Sequence, residues 1–141
     1  MRAFTMIKPI IHDTFFLSQK SDPAAAADLP IAKDLRDTLA AHRSECVGMA
    51  ANMIGYSKRI IIVSFGMFDM VMLNPVIVKK SGTFETEEGC LSLTGVRKTT
   101  RYQKITVRYQ DEQMKSHTQE YNGWTAQIIQ HECDHLDGIL I

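Results

Sequence analysis

The 141-residue chain lacks an excess of charge of either sign, because its 16 lysines and arginines balance 16 aspartates and glutamates. A chain without net charge has no bulk field to hold a phosphate backbone or an anionic membrane surface, so specific nucleic-acid binding is not expected. Long apolar runs are also missing. The run at residues 59–63 is far shorter than the roughly 20 apolar residues that span a bilayer. Residues 1–9 lack the apolar core of a secretory signal, so we expect a cytoplasmic protein that does not enter a membrane.

Cysteine is scarce as well, with only Cys46, Cys90 and Cys133 present. Three cysteines cannot all pair with one another, and a cytoplasm keeps thiols reduced, so each is expected either to bind metal or to be buried. The overall composition is that of an average globular protein, 45% apolar and 23% charged. Because the length is also typical of one domain, we expect residues 1–141 to form a single domain.

Two segments have the periodicity of a helix. Ile31, Leu35 and Leu39 lie four residues apart, which predicts a surface helix packed on a sheet. A longer helix is predicted from just after Gly123 to about Gly138, near the end of the sequence.

Between these helices the chain is rich in β-branched and apolar residues, which favour strands. An alternating segment is typical of a strand with one buried face, and a hairpin turn is expected after it, near Asp111. The order of elements shows no repeating strand-helix-strand rhythm, so we expect an α+β fold whose mostly antiparallel strands wrap around the C-terminal helix. The strands predicted in this way cover residues 60–63, 71–73, 76–78 and 104–110.

The C-terminal helix carries the sequence His-Glu-Cys-Asp-His at residues 131–135. Residues four apart on a helix face almost the same direction, so His131 and His135 can bind one metal ion together. Glu132 lies beside the first of them, where its carboxylate can take a proton from a water that the metal activates. The pattern indicates a metal-dependent hydrolase, although two ordinary surface histidines would have the same spacing.

A catalytic ion of the zinc type usually has three protein ligands, so one more is needed. Cys90 is the best candidate, because Gly89 before it permits a tight backbone and a metal would hold its thiol deprotonated. A lone cysteine is more often a small buried hydrophobe, so this segment alone is weak evidence. Residues 46–55 are rich in small side chains that permit close backbone approach to a ligand, or simply close packing.

Residues 46–55, 88–92 and 130–138, in this order, resemble the three signature motifs of peptide deformylases. These metal hydrolases remove the formyl group from the N-terminal methionine of new bacterial chains during protein biosynthesis. The second motif, Glu-Gly-Cys-Leu-Ser, is intact at residues 88–92, and the resemblance spans nearly the whole chain.

The resemblance implies that Cys90, His131 and His135 hold one divalent ion, with Fe²⁺ first and Zn²⁺, Ni²⁺ or Co²⁺ as exchangeable alternatives. It implies that Glu132 is the acid/base residue. The backbone N–H of Leu91 would donate to the oxyanion that develops on the formyl group.

The substrate implied by the resemblance is an N-formylmethionyl peptide lying along a strand edge at Val47 and Gly48. Ile128 would border the pocket for the methionine side chain, and Gly89 would lie beside the peptide. A monomer that contacts the ribosome only transiently is the expected working form. Family analogy also pairs Glu88 with Arg97 in a supporting ion pair, and this is a further expectation.

The first motif departs from the family pattern at two positions, where Cys46 replaces a glycine and Met53 replaces a glutamine. In the family that glutamine donates the second hydrogen bond to the formyl oxygen, and a thioether has no donor. Loss of one such donor typically costs about 10²–10³ in rate, so reduced activity is expected. Asn52 carries an amide but lies one residue away, and we expect it to point elsewhere.

Two alternatives remain open. A hydrolase of the same type with a different acyl or peptide substrate would explain the loss of a group tuned to formyl. A non-catalytic protein that binds metal and peptide would explain it too, although the intact Glu132 argues against abandoned catalysis.

Overall fold

The computed structural model describes residues 5–141. Residues 1–4, which are part of the segment expected not to be a secretory signal, lie outside the described residues. The elements, in chain order, are helix α1 (Thr14–Leu17), a 3₁₀ turn (Ala26–Asp28), helix α2 (Leu29–Ala41), strand β1 (Gly48–Ala50), a second 3₁₀ turn (Ala51–Ile54), strands β2 (Ile60–Ser64), β3 (Asp69–Cys90), β4 (Leu93–Gln110) and β5 (Ser116–Asn122), and helix α3 (Gly123–Leu136).

The five strands form one antiparallel sheet in the order β1-β2-β3-β4-β5. The expected α+β fold with mostly antiparallel strands and a C-terminal helix is therefore confirmed. Strands β3 and β4 form a long hairpin that ends at Cys90 and Leu93, so the tip of this hairpin carries the second motif. The expected turn near Asp111 is also present, where its carboxylate accepts hydrogen bonds from two backbone N–H groups of the β4–β5 connection.

The prediction of separate short strands at residues 71–73 and 76–78 is wrong, because both belong to the continuous strand β3. The register of β3 against β4 shifts between Leu73 and Val76. Asn74 adopts φ +52° there, and its side chain bonds to the backbone of Ala24, so a bulge rather than a strand end interrupts the pattern.

The core lies between the sheet and helices α2 and α3. Residues 60–63 of β2 are fully buried, and α2 buries Ile31, Leu35 and Leu39 as its spacing predicts. Helix α3 packs against β1, β2, β4 and β5. In the described part of the chain no helix is both long and apolar enough to cross a membrane.

Two residues after the end of helix α3, the chain reaches a position that tolerates only glycine. Gly138 has φ +76°, and a Cβ built on it would lie 2.3 Å from the backbone oxygen of Ser18. This close approach fixes the C-terminal end of α3 against the segment after α1, and so holds the helix that carries the histidines.

Candidate metal centre

Three potential ligands from two elements meet beside the hairpin tip. The thiol of Cys90 at the end of β3 and the imidazoles of His131 and His135 on α3 have ligand atoms that all lie within 4.8 Å of one another. The two Nε2 atoms are 3.0 Å apart. Donors around one tetrahedral ion with N and S ligands are about 3–4 Å apart, so a small rearrangement would seat an ion among them.

Each imidazole reaches this position for a local reason. His131 and His135 are one helical turn apart, so both rings point from the same face of α3, with ring planes at 69°. Cys90 follows a register shift at Gly89 and closes the hairpin by pairing with Leu93, which places its thiol above the helix.

Glu88 orients the first imidazole. Nδ1 of His131 donates to a Glu88 oxygen at 2.8 Å. Arg101 donates to both oxygens of the same carboxylate, at 2.6 Å from Nη2 and 3.0 Å from Nε, and Gln127 donates from Nε2 at 2.8 Å. Burial raises the pKa of Glu88, but these hydrogen bonds outweigh it and lower the pKa to about 2, so this carboxylate is charged at neutral pH.

The expected pairing of Glu88 with Arg97 is wrong, because Arg101 is the partner. Glu88 and Arg97 are paired across β3 and β4, yet within residues 5–141 the guanidinium of Arg97 donates to the carbonyl of Thr94, at 3.5 Å, and not to Glu88. Arg101 is 4% exposed and also donates to Asp134 on α3 at 2.6 Å. A buried carboxylate is best paired with a buried cation, and Arg101 is buried whereas Arg97 is only partly so.

The protonation of the two histidines reflects their surroundings. Burial lowers the pKa of His131, but hydrogen bonds with Cys90 and Glu88 more than compensate and raise it to about 10. Burial and the neighbouring His131 lower the pKa of His135 to about 3. In the absence of metal, His131 is therefore the protonated member of the pair at neutral pH and His135 the neutral one.

Glu132 is buried beside this group and has an unused oxygen. Its side chain is 4% exposed, and Oε1 has no hydrogen-bond partner among residues 5–141. Burial raises the pKa of Glu132 to about 7, which suits a group that must take up and release a proton. A Cβ on Gly48 would lie 3.0 Å from Glu132 Oε2 and 2.8 Å from Ile128 Cγ2, so glycine is required for β1 to approach the helix.

A cleft of about 630 Å³ opens over these residues. Its wall includes Cys90, His131 and Glu132, whereas His135 is fully buried. The positions expected to contact substrate all lie on the wall: Val47, Gly48, Met53, Gly89, Leu91 and Ile128.

Met53 and Asn52 face different parts of the protein. Met53 is 1% exposed, and its sulfur accepts a hydrogen bond from the backbone N–H of Ala50 at 3.4 Å. The amide of Asn52 donates to the carbonyl of His135 at 2.9 Å, so it points away from the cleft wall, as expected. Of the other two cysteines, Cys46 is half-buried on the wall and Cys133 is buried in the core.

Sequence reasoning missed Gln127, Asp134 and Arg101. The first two lie four residues before and three residues after His131, so helical spacing alone places them beside it. No comparable signal exists for Arg101, because residues 93–103 lack the apolar alternation that predicts a strand.

The fold and the site together define the class of enzyme to which the chain corresponds. A thiol and two imidazoles converge in a cleft beside a buried carboxylate, one oxygen of which has no partner among residues 5–141. These are the catalytic groups of a metal-dependent hydrolase.

Comparisons with known proteins identify the family. The family model for polypeptide deformylase matches residues 7–141. A peptide deformylase from Clostridium beijerinckii is 54% identical over 136 residues, which cover 96% of this chain and all of that protein. One from Chlorobaculum parvum is 36% identical over 96% of this chain and 78% of its own length. The chain therefore belongs to the polypeptide deformylase family, whose members are metalloenzymes.

Solved structures agree with this assignment. The class I type b peptide deformylase from Acinetobacter baumannii, bound to the compound K1U, superposes with a TM-score of 0.86 at 33% identity, covering 96% of this chain and 97% of that one. A structure of the Acinetobacter enzyme bound to Met-Ala-Ser gives a TM-score of 0.87 at 29% identity, covering 97% of each chain. The Thermus thermophilus enzyme gives 0.84 at 35% identity, over 95% of this chain and 83% of that one.

Proposed function

We propose that this protein is a metal-dependent hydrolase that removes the N-formyl group from the N-terminal methionine of newly made polypeptides. One observation carries the proposal: the ligand atoms of Cys90, His131 and His135 converge within 4.8 Å of one another, beside the buried carboxylate of Glu132. Membership of the polypeptide deformylase family supplies the reaction class.

The donor set fits a single divalent transition metal. One thiolate and two imidazoles suit Fe²⁺, Zn²⁺, Ni²⁺ and Co²⁺, and we propose Fe²⁺ as the native ion. When bound, such an ion would supply Lewis-acid polarisation of the formyl oxygen and make water nucleophilic at neutral pH. Glu88 would keep Nδ1 of His131 protonated, which leaves Nε2 free as the ligand atom.

Residues of the chain carry out the proton transfers and stabilise the oxyanion. Glu132 takes a proton from the attacking water as the new C–O bond forms at the formyl carbon. It then delivers that proton to the methionine nitrogen as the C–N bond breaks, so the products are formate and a free amine. The backbone N–H of Leu91 donates to the oxyanion that develops in between.

The substrate would be held along the free edge of β1. Val47 and Gly48 lie on the cleft wall, where Ile128 would border the pocket for the methionine side chain and Gly89 would lie beside the peptide. The Acinetobacter enzyme has been solved with Met-Ala-Ser bound, and we propose that this chain binds a comparable peptide. We also propose that residues 1–141 act as one monomeric domain in the cytoplasm, with only transient contact with the ribosome.

The test is formate release from formyl-Met-Ala by protein loaded with Fe²⁺ without oxygen. We expect turnover and about one ion per chain, with both lost in Cys90→Ala. Cys133→Ala is the matched control, because it removes a thiol that the core buries outside the ligand group, and it should retain the ion. Metal binding without turnover would instead identify a non-catalytic binding protein, and full occupancy in Cys90→Ala would exclude this ligand set.

A second candidate function rests on Met53, whose thioether occupies a wall position of the cleft without offering a donor. A related hydrolase acting on a different acyl group would have less need of that donor. Comparing formyl-Met-Ala with acetyl-Met-Ala separates the two, since a deformylase should strongly prefer the formyl peptide.

A further inference from the structure

The segment before helix α1 contacts two turns that flank the cleft. The backbone N–H of Ile11 donates at 2.8 Å to the carbonyl of Met53, in the turn after β1. Nδ1 of the next residue, His12, lies 3.0 Å from the carbonyl oxygen of Ser92, in the turn between β3 and β4. Because a carbonyl only accepts, Nδ1 of His12 carries the proton of this hydrogen bond. Two consecutive residues therefore bridge two turns that are far apart in the sequence.

These two turns carry the two sides of the proposed oxyanion site. Leu91, whose N–H would donate to the oxyanion, shares its two-residue turn with Ser92. Met53 occupies the position at which the family pattern has its second donor. Leu91 and Met53 both line the cleft. Among residues 5–141 no hydrogen bond joins one turn directly to the other, so the link between them runs through residues 11 and 12.

The strand ladder does not hold the turn at Leu91 and Ser92. The turn lies between the paired residues Cys90 and Leu93, directly after a register shift at Gly89. The hydroxyl of Ser92 is buried, but it has no hydrogen-bond partner within the described chain. The backbone of this turn therefore gains a fixed direction from the contact between the Ser92 carbonyl and His12.

The backbone on both sides of His12 is anchored. Ile11 is tied to Met53, and Asp13 caps α1 by accepting a hydrogen bond from the N–H of Phe15 at 2.9 Å. The imidazole can therefore restrain the turn instead of following its motion. His12 is an exposed residue, so its hydrogen bond contributes little to global stability, and a role in positioning can be separated from a role in folding.

We infer that His12 is a positioning residue for the oxyanion site, because its Nδ1–H holds the Ser92 carbonyl and so keeps the backbone N–H of Leu91 directed at the formyl oxygen. The inference rests on the proposed function and adds a residue that lies outside the three motifs. An oxyanion donor is effective at about 2.7–3.1 Å from the developing charge, so a small rotation of the turn is enough to weaken catalysis. Binding of the substrate in its ground state depends much less on that distance.

Two substitutions of His12 separate the hydrogen bond from the bulk of the ring. His12→Asn retains a donor, because its amide nitrogen is as many bonds from the backbone as Nδ1. His12→Leu has the same branching and no donor. His117→Leu is the matched control, since it also removes the hydrogen bond of an exposed histidine, to Asp111 at 2.7 Å, but lies away from the cleft wall.

The measurements are steady-state kinetics with formyl-Met-Ala, metal content per chain, and amide hydrogen exchange of the metal-free protein. We expect His12→Leu to lower kcat about ten-fold, less than the loss of a whole oxyanion donor, because the Leu91 N–H is displaced and not removed. KM and metal content should stay within about two-fold of wild type, and His12→Asn should recover most of the rate. Exchange at Leu91 should be several-fold faster in His12→Leu, and His117→Leu should match wild type in every measurement.

An unchanged kcat in metal-loaded His12→Leu would overturn the inference. A loss that only follows a fall in metal content, or that His12→Asn does not restore, would overturn it as well. A wild-type protein that binds metal without releasing formate would contradict the proposed function instead. Hydrogen exchange would then decide separately whether His12 restrains the turn, and equal exchange at Leu91 in wild type and His12→Leu would show that it does not.

Discussion

Arg101 lies at the centre of the network that orients His131, and its replacement by methionine should be costly. The guanidinium is 4% exposed, donates to both oxygens of Glu88, and reaches Asp134 on α3. Methionine retains much of the aliphatic length, so the substitution removes mainly charge and hydrogen bonds.

The size of the expected loss of stability depends on the interactions that Glu88 would keep without Arg101. Breaking one side of a buried ion pair typically costs about 3–5 kcal/mol, because the other charge stays buried. Glu88 would keep its hydrogen bonds from His131 and Gln127, so we expect the lower end, about 3 kcal/mol. In a chain of this length that corresponds to a fall of roughly 10 °C in Tm. Metal affinity should also fall about 10–100-fold, since Glu88 would no longer be held in place.

The loss of stability in Arg101→Met should depend on pH. The folded-state pKa of Glu88 is lowered to about 2 from an ordinary value of 4.5, so its stabilisation is present above pH 4.5 and disappears as the pH falls towards 2. The stability difference between wild type and Arg101→Met should therefore be largest at neutral pH and shrink on acidification through this range.

The assay is urea unfolding of metal-free protein at several pH values, with Arg97→Met as the matched control. Arg97 is the cross-strand neighbour of Glu88, but its guanidinium does not contact that carboxylate, so its loss should stay within about 0.5 kcal/mol. The reasoning would be refuted if Arg97→Met were as destabilising as Arg101→Met, or if the effect of Arg101→Met did not change with pH.

Two further predictions concern the reaction itself. Glu132→Gln should retain the metal but lose about 10²–10⁴ in kcat, because an amide cannot take the proton of water; unchanged hydrolysis of formyl-Met-Ala would remove Glu132 from the mechanism. Met53→Gln should raise kcat for formyl peptides about ten-fold or more, with less change in KM. The new Oε1 can accept from the backbone N–H of Ala50 as the sulfur does, while the new Nε2 can donate to the oxyanion. Steady-state kinetics with metal-loaded Met53→Gln measures this, and a flat or lower rate would mean that another donor already serves the oxyanion.

Local sequence patterns were sufficient to predict helices α2 and α3, but they did not predict the short helix α1. The spacing of His131 and His135 fixes their common direction whatever surrounds them, and the fold confirms the helix that carries them. The strands were harder to predict, because residues 78–83 are exposed on both faces of the hairpin and show no alternation of apolar and polar residues. Strand β5 is polar and largely exposed along its whole length, so its pairing with β4 leaves no apolar pattern to detect.

Local sequence patterns cannot predict how the ligand side chains are oriented. Glu88 bonds to the ring of His131 from 43 positions away, and Asn52 bonds to the backbone carbonyl of His135 from 83 positions away. Each partner is a buried polar group whose role depends on a tertiary contact, and an exposed residue of the same type would have the same appearance in the sequence. The error over Arg97 has this origin: family analogy pairs it with Glu88 and the two are cross-strand neighbours, but the carboxylate of Glu88 is bound by Arg101, which is itself buried. The motif therefore specifies which atoms can bind a metal, while the packing of β1 and β4 against α3 determines whether those atoms are held in the tautomer and direction that binding requires.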